Sequence, residues 1–356
     1  MHVQPEPRPT VGDVGQHLAA IEVDSSTSCL VSDPGIPTLE KAFDAVMLGE
    51  YLPEVLPSEW GTIRNVRLQV LKHEPGKGCC TFEIRLGTTR GCYSLIGKVY
   101  AEDRSDVYRA MEEIRRAGFG SEDEFAIPRP VAFLAPLRLL VYEKVPGTRA
   151  TALILNPNES DRVRAAQRCA RWLARFHAIA PRSGRVFRLN DHLISLEGHR
   201  RCLADLGWPF ADKASRLFDE LNAIAPRLDR IDMCAGHGMY TSGQVLLAEG
   251  RTVTIDWDTH NVADPSYDVA RMLIGFKRMG LEHFGSLHAL DGVADVFLKT
   301  YVTTGRSPVT TRVAFQKAAI CLERAKRDLD KQTSGWRKRA ETMLDEGLRI
   351  LNQEAH

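Results

Sequence analysis

The chain has 356 residues, room for two domains or one bilobal domain at about 150 residues per domain. Apolar residues at 44% and charged residues at 26% sit at globular averages, which excludes a wholly disordered, collagen-like or coiled-coil chain. Lys and Arg number 47 against 46 Asp and Glu, so no basic excess points to nucleic acid or to an anionic membrane, and a polyanionic ligand must be met by local charge.

Apolar runs such as Leu139–Tyr142 fall far short of the roughly 18 residues that span a bilayer, and the N-terminus lacks a basic-then-apolar pattern. A cytoplasmic protein with no membrane partner is expected. Eight cysteines without a C-x-x-C spacing read as small buried hydrophobes rather than a disulfide scaffold or a zinc site. Residues 1–37 contain no Phe, Trp or Tyr, carry five prolines, and hold five acids against Arg8 alone. Such a segment reads as a disordered or loosely packed tail.

From Thr62 the pattern becomes strand-like. Val66–Leu71 and Thr81–Leu86 both alternate, and Pro75, Gly76 and Gly78 between them supply a turn, so a β-hairpin is expected. A third strand follows at Tyr93–Tyr100. Val107, Met111 and Ile114 recur at helical spacing between Arg104 and Ala117, with Ser105 or Asp106 to cap and Gly118 to stop. Val131–Leu134 and Leu137–Tyr142 are two more apolar strands, and Pro146-Gly147 then breaks the pattern. Val163, Ala166, Ala170, Leu173, Ala174 and His177 mark one face of a helix over about 160–180. The expected architecture is α+β, with a β-rich front part over 38–145 and a helical part over 146–356.

Chemistry concentrates in one stretch. Gly236–Leu247 is a polar loop running into a short strand; Thr252–Ile255 is a second strand, ending in Asp256-Trp257-Asp258; then Ala263-Asp264-Pro265 opens a helix. Asp256 and Gln244 thus stand near adjacent strand ends. Two oxygen ligands so placed can hold Mg²⁺, which keeps most of its waters and takes phosphate oxygens for the rest. That suits nucleotide phosphates.

This stretch resembles the catalytic loop and metal-binding segment of the aminoglycoside phosphotransferase and choline kinase-like family, relatives of the protein kinases. The family reads approximately His-Gly-Asp-x-x-x-x-Asn, a short hairpin, Ile-Asp-(Phe/Trp)-(Glu/Asp), then Gly-Asp-Pro-x-x-Asp-(Leu/Val)-Ala. His237, Gly238, Asp256, Trp257, Asp258, Asp264, Pro265, Asp268 and Ala270 match it in order and spacing. The resemblance implies a bilobal protein kinase-like fold, ATP and Mg²⁺ as cofactors, and a small-molecule hydroxyl as acceptor. It implies that Lys98 holds the α- and β-phosphates, with Glu112 or Glu113 to pair with it, and that adenine meets the strand and hinge at Glu143 and Val145. Lys98 also reads as a plain solvated strand lysine, and His237 as a structural loop residue beside its candidate catalytic role.

One departure matters. Where the family keeps its catalytic Asp stands Met239, whose thioether cannot accept the proton of an attacking hydroxyl. Gln244 replaces the family's Asn and retains the amide oxygen. The metal site therefore reads as kept and the base as lost, with Asp258 or a substrate group as a substitute acceptor. The alternative is a pseudokinase that binds nucleotide or a small ligand without transfer. The family's acceptor pocket lies among rear-lobe helices, here expected near Glu197, Asp205, Trp208 and Phe210.

Overall fold

The computed structural model describes residues 32–228, 230–305 and 310–354. The chain divides into two compact units. The first holds the chain through Arg104 together with Val131–Lys144; the second holds Ser105–Pro130 and the chain from Val145 onward. The front of the chain runs α1 (Leu39–Ala42), α2 (Ala45–Tyr51), β1 (Ile63–His73), β2 (Cys79–Thr88), β3 (Cys92–Tyr100), α3 (Ser105–Arg116), β4 (Phe125–Ala126), β5 (Pro130–Leu134) and β6 (Leu139–Glu143).

In the first unit β1, β2, β3, β6 and β5 form one sheet in that order, and the pairs β1–β2, β2–β3 and β3–β6 are antiparallel. The hairpin register sets Val66 opposite Leu86, Leu68 opposite Ile84 and Val70 opposite Phe82. Val66, Leu68, Phe82, Ile84 and Leu86 are buried while Leu71 is exposed, the alternation that a half-buried strand requires. Gly97 faces the Phe82 ring so closely that a Cβ there would sit 2.7 Å from it. Ile36, Leu39, Ala42 and Leu48 close the same core. Of the expected loose tail, residues 1–31 lie outside the described residues. In the remainder, Ile36 is buried and the Asp33 carboxylate takes a bond from the Gly76 amide at 3.3 Å and lies 3.1 Å from His73 Nε2.

The second unit continues with β7 (Thr148–Arg149), α4 (Ala150–Ile154), α5 (Glu159–Ile179), β8 (Arg185–Val186), α6 (Leu189–Ala204), α7 (Phe210–Ile224), β9 (Cys234–Gly236), β10 (Val245–Leu247), β11 (Thr252–Thr254), β12 (Asn261–Ala263), α8 (Pro265–Phe284), α9 (Asp291–Thr304), α10 (Thr310–Lys331) and α11 (Trp336–Glu354). Asn158 caps α5, accepting from the Ser160 amide at 2.9 Å. The buried face of α5 includes Ala166, Ala170, Leu173 and Ala174 as the spacing predicts, and adds Cys169, Trp172 and Phe176.

Helix α3 belongs to this second unit, not with the front sheet as the expected division at 145 would have it. The reason lies just after it. Phe119 packs on Trp172 and Phe176, and β4 pairs in parallel with β11, which binds residues 105–130 to the helical part. Helix α8 is buried along nearly all of Pro265–Lys277, so its polar residues are partnered inside the protein: Arg271 pairs with Glu323, and Lys277 with Asp291 and Glu346 at 3.2 Å each.

Candidate functional site

Strand β9 pairs antiparallel with β12, Gly236 facing Asn261 and Ala235 facing Val262, and delivers the chain into the loop at His237. Gly238 follows in the left-handed region at φ 79°, against the Thr259 carbonyl, where a side chain would collide. The loop is fastened from below by the first turn of α8. The Asp268 carboxylate accepts the His237 amide at 2.7 Å and the Gly238 amide at 2.9 Å, and lies 3.4 Å from His177 Nε2. Burial alone would raise its pKa, but the bond from His177 and the loop amides hold it below the usual carboxylate value.

His237 is fully buried. Its Nε2 donates to the Ile255 carbonyl at 3.0 Å, so its Nδ1 is the acceptor for the Met239 amide at 3.3 Å. Burial depresses its pKa, which keeps the ring neutral. Both nitrogens are committed to backbone, an arrangement for bracing a loop and not for carrying protons. Met239 comes next and is half-buried. Tyr240 then anchors the far side, its hydroxyl bonded to the Cys169 carbonyl at 2.8 Å and its ring stacked on Trp172. His177, on the buried face of α5, lies 2.7 Å from the Tyr301 hydroxyl and serves the same brace.

Gln244 closes the loop. Its carbonyl accepts the Ile255 amide at 2.9 Å, one residue before Asp256, which ties the two expected metal ligands to neighbouring positions on the β10–β11 hairpin. The Gln244 side-chain oxygen accepts from the Thr241 hydroxyl. Asp256 itself is left-handed, φ 71° and ψ 68°, a conformation that Asp tolerates better than most residues and that concentrates at functional positions. Asp258 lies on the following turn, whose Thr259 hydroxyl bonds the His237 carbonyl at 3.0 Å. The carboxylate of Asp258 is therefore carried on a segment fixed to the loop.

In the first unit, Lys98 stands in β3 opposite Thr81 on one side and Leu140 on the other. It is only 8% exposed, which removes the reading as a solvated strand lysine. Glu143 ends β6 opposite Leu95, and Val145 follows two residues on. On α3, Glu113 is exposed, whereas Glu112 takes Arg115 at 3.2 Å and Arg116 at 2.8 Å.

Three of the expected acceptor residues are engaged in other contacts or open to solvent. Glu197 pairs with Arg200 and Arg201 on its own helix, Phe210 is core against Trp336, and Trp208 is 86% exposed. A cavity of about 580 Å³ opens elsewhere, where Thr241, Ser242 and Gly243 of the loop meet α8 and α10. Its side chains come from positions far apart in sequence and carry no motif. The role of Asp268 was detectable, since the Asp-Pro-x-x-Asp spacing singles it out.

A kinase-like fold with a loop, brace and strand-end pair of this kind defines a phosphotransferase class. Residues 82–300 match the phosphotransferase enzyme family, and the chain belongs to it. No curated protein matches the chain. Among solved structures, it is similar to a thermostable mutant of aminoglycoside phosphotransferase APH(4)-Ia in ternary complex with ADP and hygromycin B, at 16% identity and a TM-score of 0.58 over 85% of this chain and 98% of that one. The choline kinase LicA from Streptococcus pneumoniae is similar at 14% identity and a TM-score of 0.57, over 86% and 98% of the two chains. Spectinomycin phosphotransferase APH(9)-Ia, in complex with ADP and spectinomycin, gives 12% and 0.56 over 86% and 97%. At these identities the likeness to solved structures is one of fold.

Proposed function

We propose that the chain is an ATP- and Mg²⁺-dependent phosphotransferase acting on a hydroxyl of a small molecule, slowed by the loss of a carboxylate at Met239. The observation that carries the reading is the 2.9 Å bond from the Ile255 amide to the Gln244 carbonyl, because it brings the Asp256 and Gln244 positions together at the mouth of a braced loop. The donor set fits Mg²⁺: two oxygens of a hard kind, with phosphates and water left to complete the shell. When bound, the ion would neutralise charge on the phosphates.

Lys98 supplies the phosphate cation, and Glu143 and Val145 the edge that adenine meets. Phosphoryl transfer depends chiefly on positioning and charge neutralisation, and a base contributes about 10²- to 10⁴-fold. The bond from the acceptor oxygen to the γ-phosphorus forms as the bond to the β–γ bridging oxygen breaks. The hydroxyl proton passes to Asp258. That two of the similar structures hold ADP together with hygromycin B or with spectinomycin supports the same reading.

A second reading, nucleotide binding without transfer, is favoured by Met239 alone. Both readings require Mg²⁺-ATP to bind. In a thermal-shift titration, nucleotide at 100 times Kd should stabilise the protein by about 2.7 kcal/mol in the presence of Mg²⁺ and far less in EDTA. Asp256→Ala should abolish the Mg²⁺-dependent part. No shift in the parent, or an undiminished one in the variant, would remove both readings.

A further inference from the structure

Among the charged residues that line the cavity beside the loop, cations outnumber carboxylates five to two. Arg278 of α8, Arg324, Arg327 and Lys331 of α10, and Arg339 of α11 line it, against the carboxylates of Glu282 and Asp328. Those two carboxylates are already taken. Arg278 holds Asp328 through both oxygens at 2.7 and 2.9 Å and reaches Glu282 at 2.7 Å, while Arg339 lies 3.8 Å from Asp328. The side chains of Arg324, Arg327 and Lys331 make no hydrogen bond or ion pair among the described residues, and Arg324 Nε is sealed from solvent without a partner.

The three residues share one face of α10, at spacings of three and four, where like charges repel. The negative end of α10 offsets some of this at Arg327 and Lys331, in its last turns. It does nothing for Arg324, a turn further in. Burial, then the neighbouring Arg271 and Arg327, pull the Arg324 pKa down to about 10, the mark of a guanidinium in a field of its own sign. A cluster that is repulsive when empty is relieved by an anion.

We propose that this cavity binds a small oxyanion, a hydroxylated molecule bearing a carboxylate or phosphate, and that it is the acceptor seat; the second clause rests on the phosphotransferase reading above. Its volume is that of a small-ligand pocket. Its loop wall begins two residues after Met239, with Ser242 pinned to Thr151 at 2.8 Å. A polycationic antibiotic would find no carboxylate left to accept its ammonium groups.

The test uses the full chain with Mg²⁺-AMP-PNP saturating the nucleotide site. Inorganic phosphate and malonate are each titrated against chloride at equal ionic strength, and the melting midpoint gives an apparent Kd. Both should stabilise the parent beyond chloride, and the tighter of the two tells a phosphate from a carboxylate ligand. Arg327→Gln with Lys331→Gln, both exposed in the parent, should weaken that Kd about 10-fold while leaving the melting point without anion near the parent's. An unchanged Kd in the double variant, a response no larger than chloride's, or stabilisation by kanamycin in place of the anions would overturn the proposal. Asp256→Ala separates the two claims. If phosphate still binds there but the parent never takes up Mg²⁺-nucleotide, the oxyanion site stands and the acceptor assignment falls with the phosphotransferase reading.

Discussion

On the proposed reading, Met239 stands where the family carries its catalytic Asp, and a thioether cannot accept a proton there. The residues on either side are held as an active loop would hold them: His237 by Ile255 and Asp268, Tyr240 by Cys169. A carboxylate restored there could orient an attacking hydroxyl or water, so Met239→Asp should raise Mg²⁺-dependent ATP hydrolysis by about 10- to 100-fold over the parent. Because Met239 is half-buried, some stability should be lost with the thioether contacts, and melting should be recorded alongside turnover. If the variant folds and binds Mg²⁺-ATP yet gains no turnover, the absence of a base is not what limits this site, and binding without transfer becomes the better reading. If the parent already turns over at ordinary kinase rates and the change does nothing, Asp258 or another group is the working base.

At the scale of elements, the loop owes its shape to helix α8. Asp264 caps that helix through the Ser266 amide at 2.9 Å, and one turn later Asp268 points away from the helix axis to hold two loop amides. The two acids therefore do different work although both belong to one Asp-Pro-x-x-Asp pattern. Asp268→Ala strips acceptors from two buried amides and from His177, and should cost about 3 kcal/mol or more in urea unfolding; Asp264→Ala, a lost cap and ion pair with Arg312, should cost about 1–2 kcal/mol. Mg²⁺-ATP affinity should fall further in the first. Equal costs with unchanged affinity would mean that Asp268 is merely a second cap. Elements of this kind are legible when their cause is local. The hairpin 63–88 follows from alternation around Pro75-Gly76, and α5 from its 3.6-residue stripe. Where α3 docks is not local, because Phe119 meets Trp172 and Phe176 over more than fifty residues of chain. Neither is the cationic cavity, since Arg278 and Arg324 come from separate helices and nothing in either helix announces the other. The nearness of Gln244 and Asp256, the proposed metal ligands, was legible for the opposite reason: the two positions flank one short hairpin.

Across the described residues, partners lower the buried carboxylates against the effect of burial, while burial itself lowers two histidines and raises the thiols. Glu83 is held at a pKa of about 2 by Arg85 and Lys144, and Asp268, Glu323 and Glu346 are also depressed despite burial, by their paired cations and amides. Such carboxylates contribute stability above their unfolded values near 4.5 and lose it as pH falls through the folded ones. His199 and His237 are depressed by burial, so the unfolded chain takes up their protons first, and stability starts to fall below about 6.5. At the other end, burial raises the Cys80 thiol to about 11 and Cys169 to about 12. These are protons that the unfolded chain releases first, near pH 9, so stability declines above that point. The urea midpoint should be flat between about pH 7 and 8.5 and fall on both sides, each displaced group adding up to about 1.4 kcal/mol per pH unit within its own window. Cys169→Ala should make the alkaline limb shallower by one group's share, since Cys80, Cys234 and Cys321 are raised as well, and leave the acid limb in place. A midpoint that climbs steadily from pH 7 down to pH 5 would show that these histidines are charged in the folded protein, and with that the assignment of His237 as a neutral brace of the loop would fail.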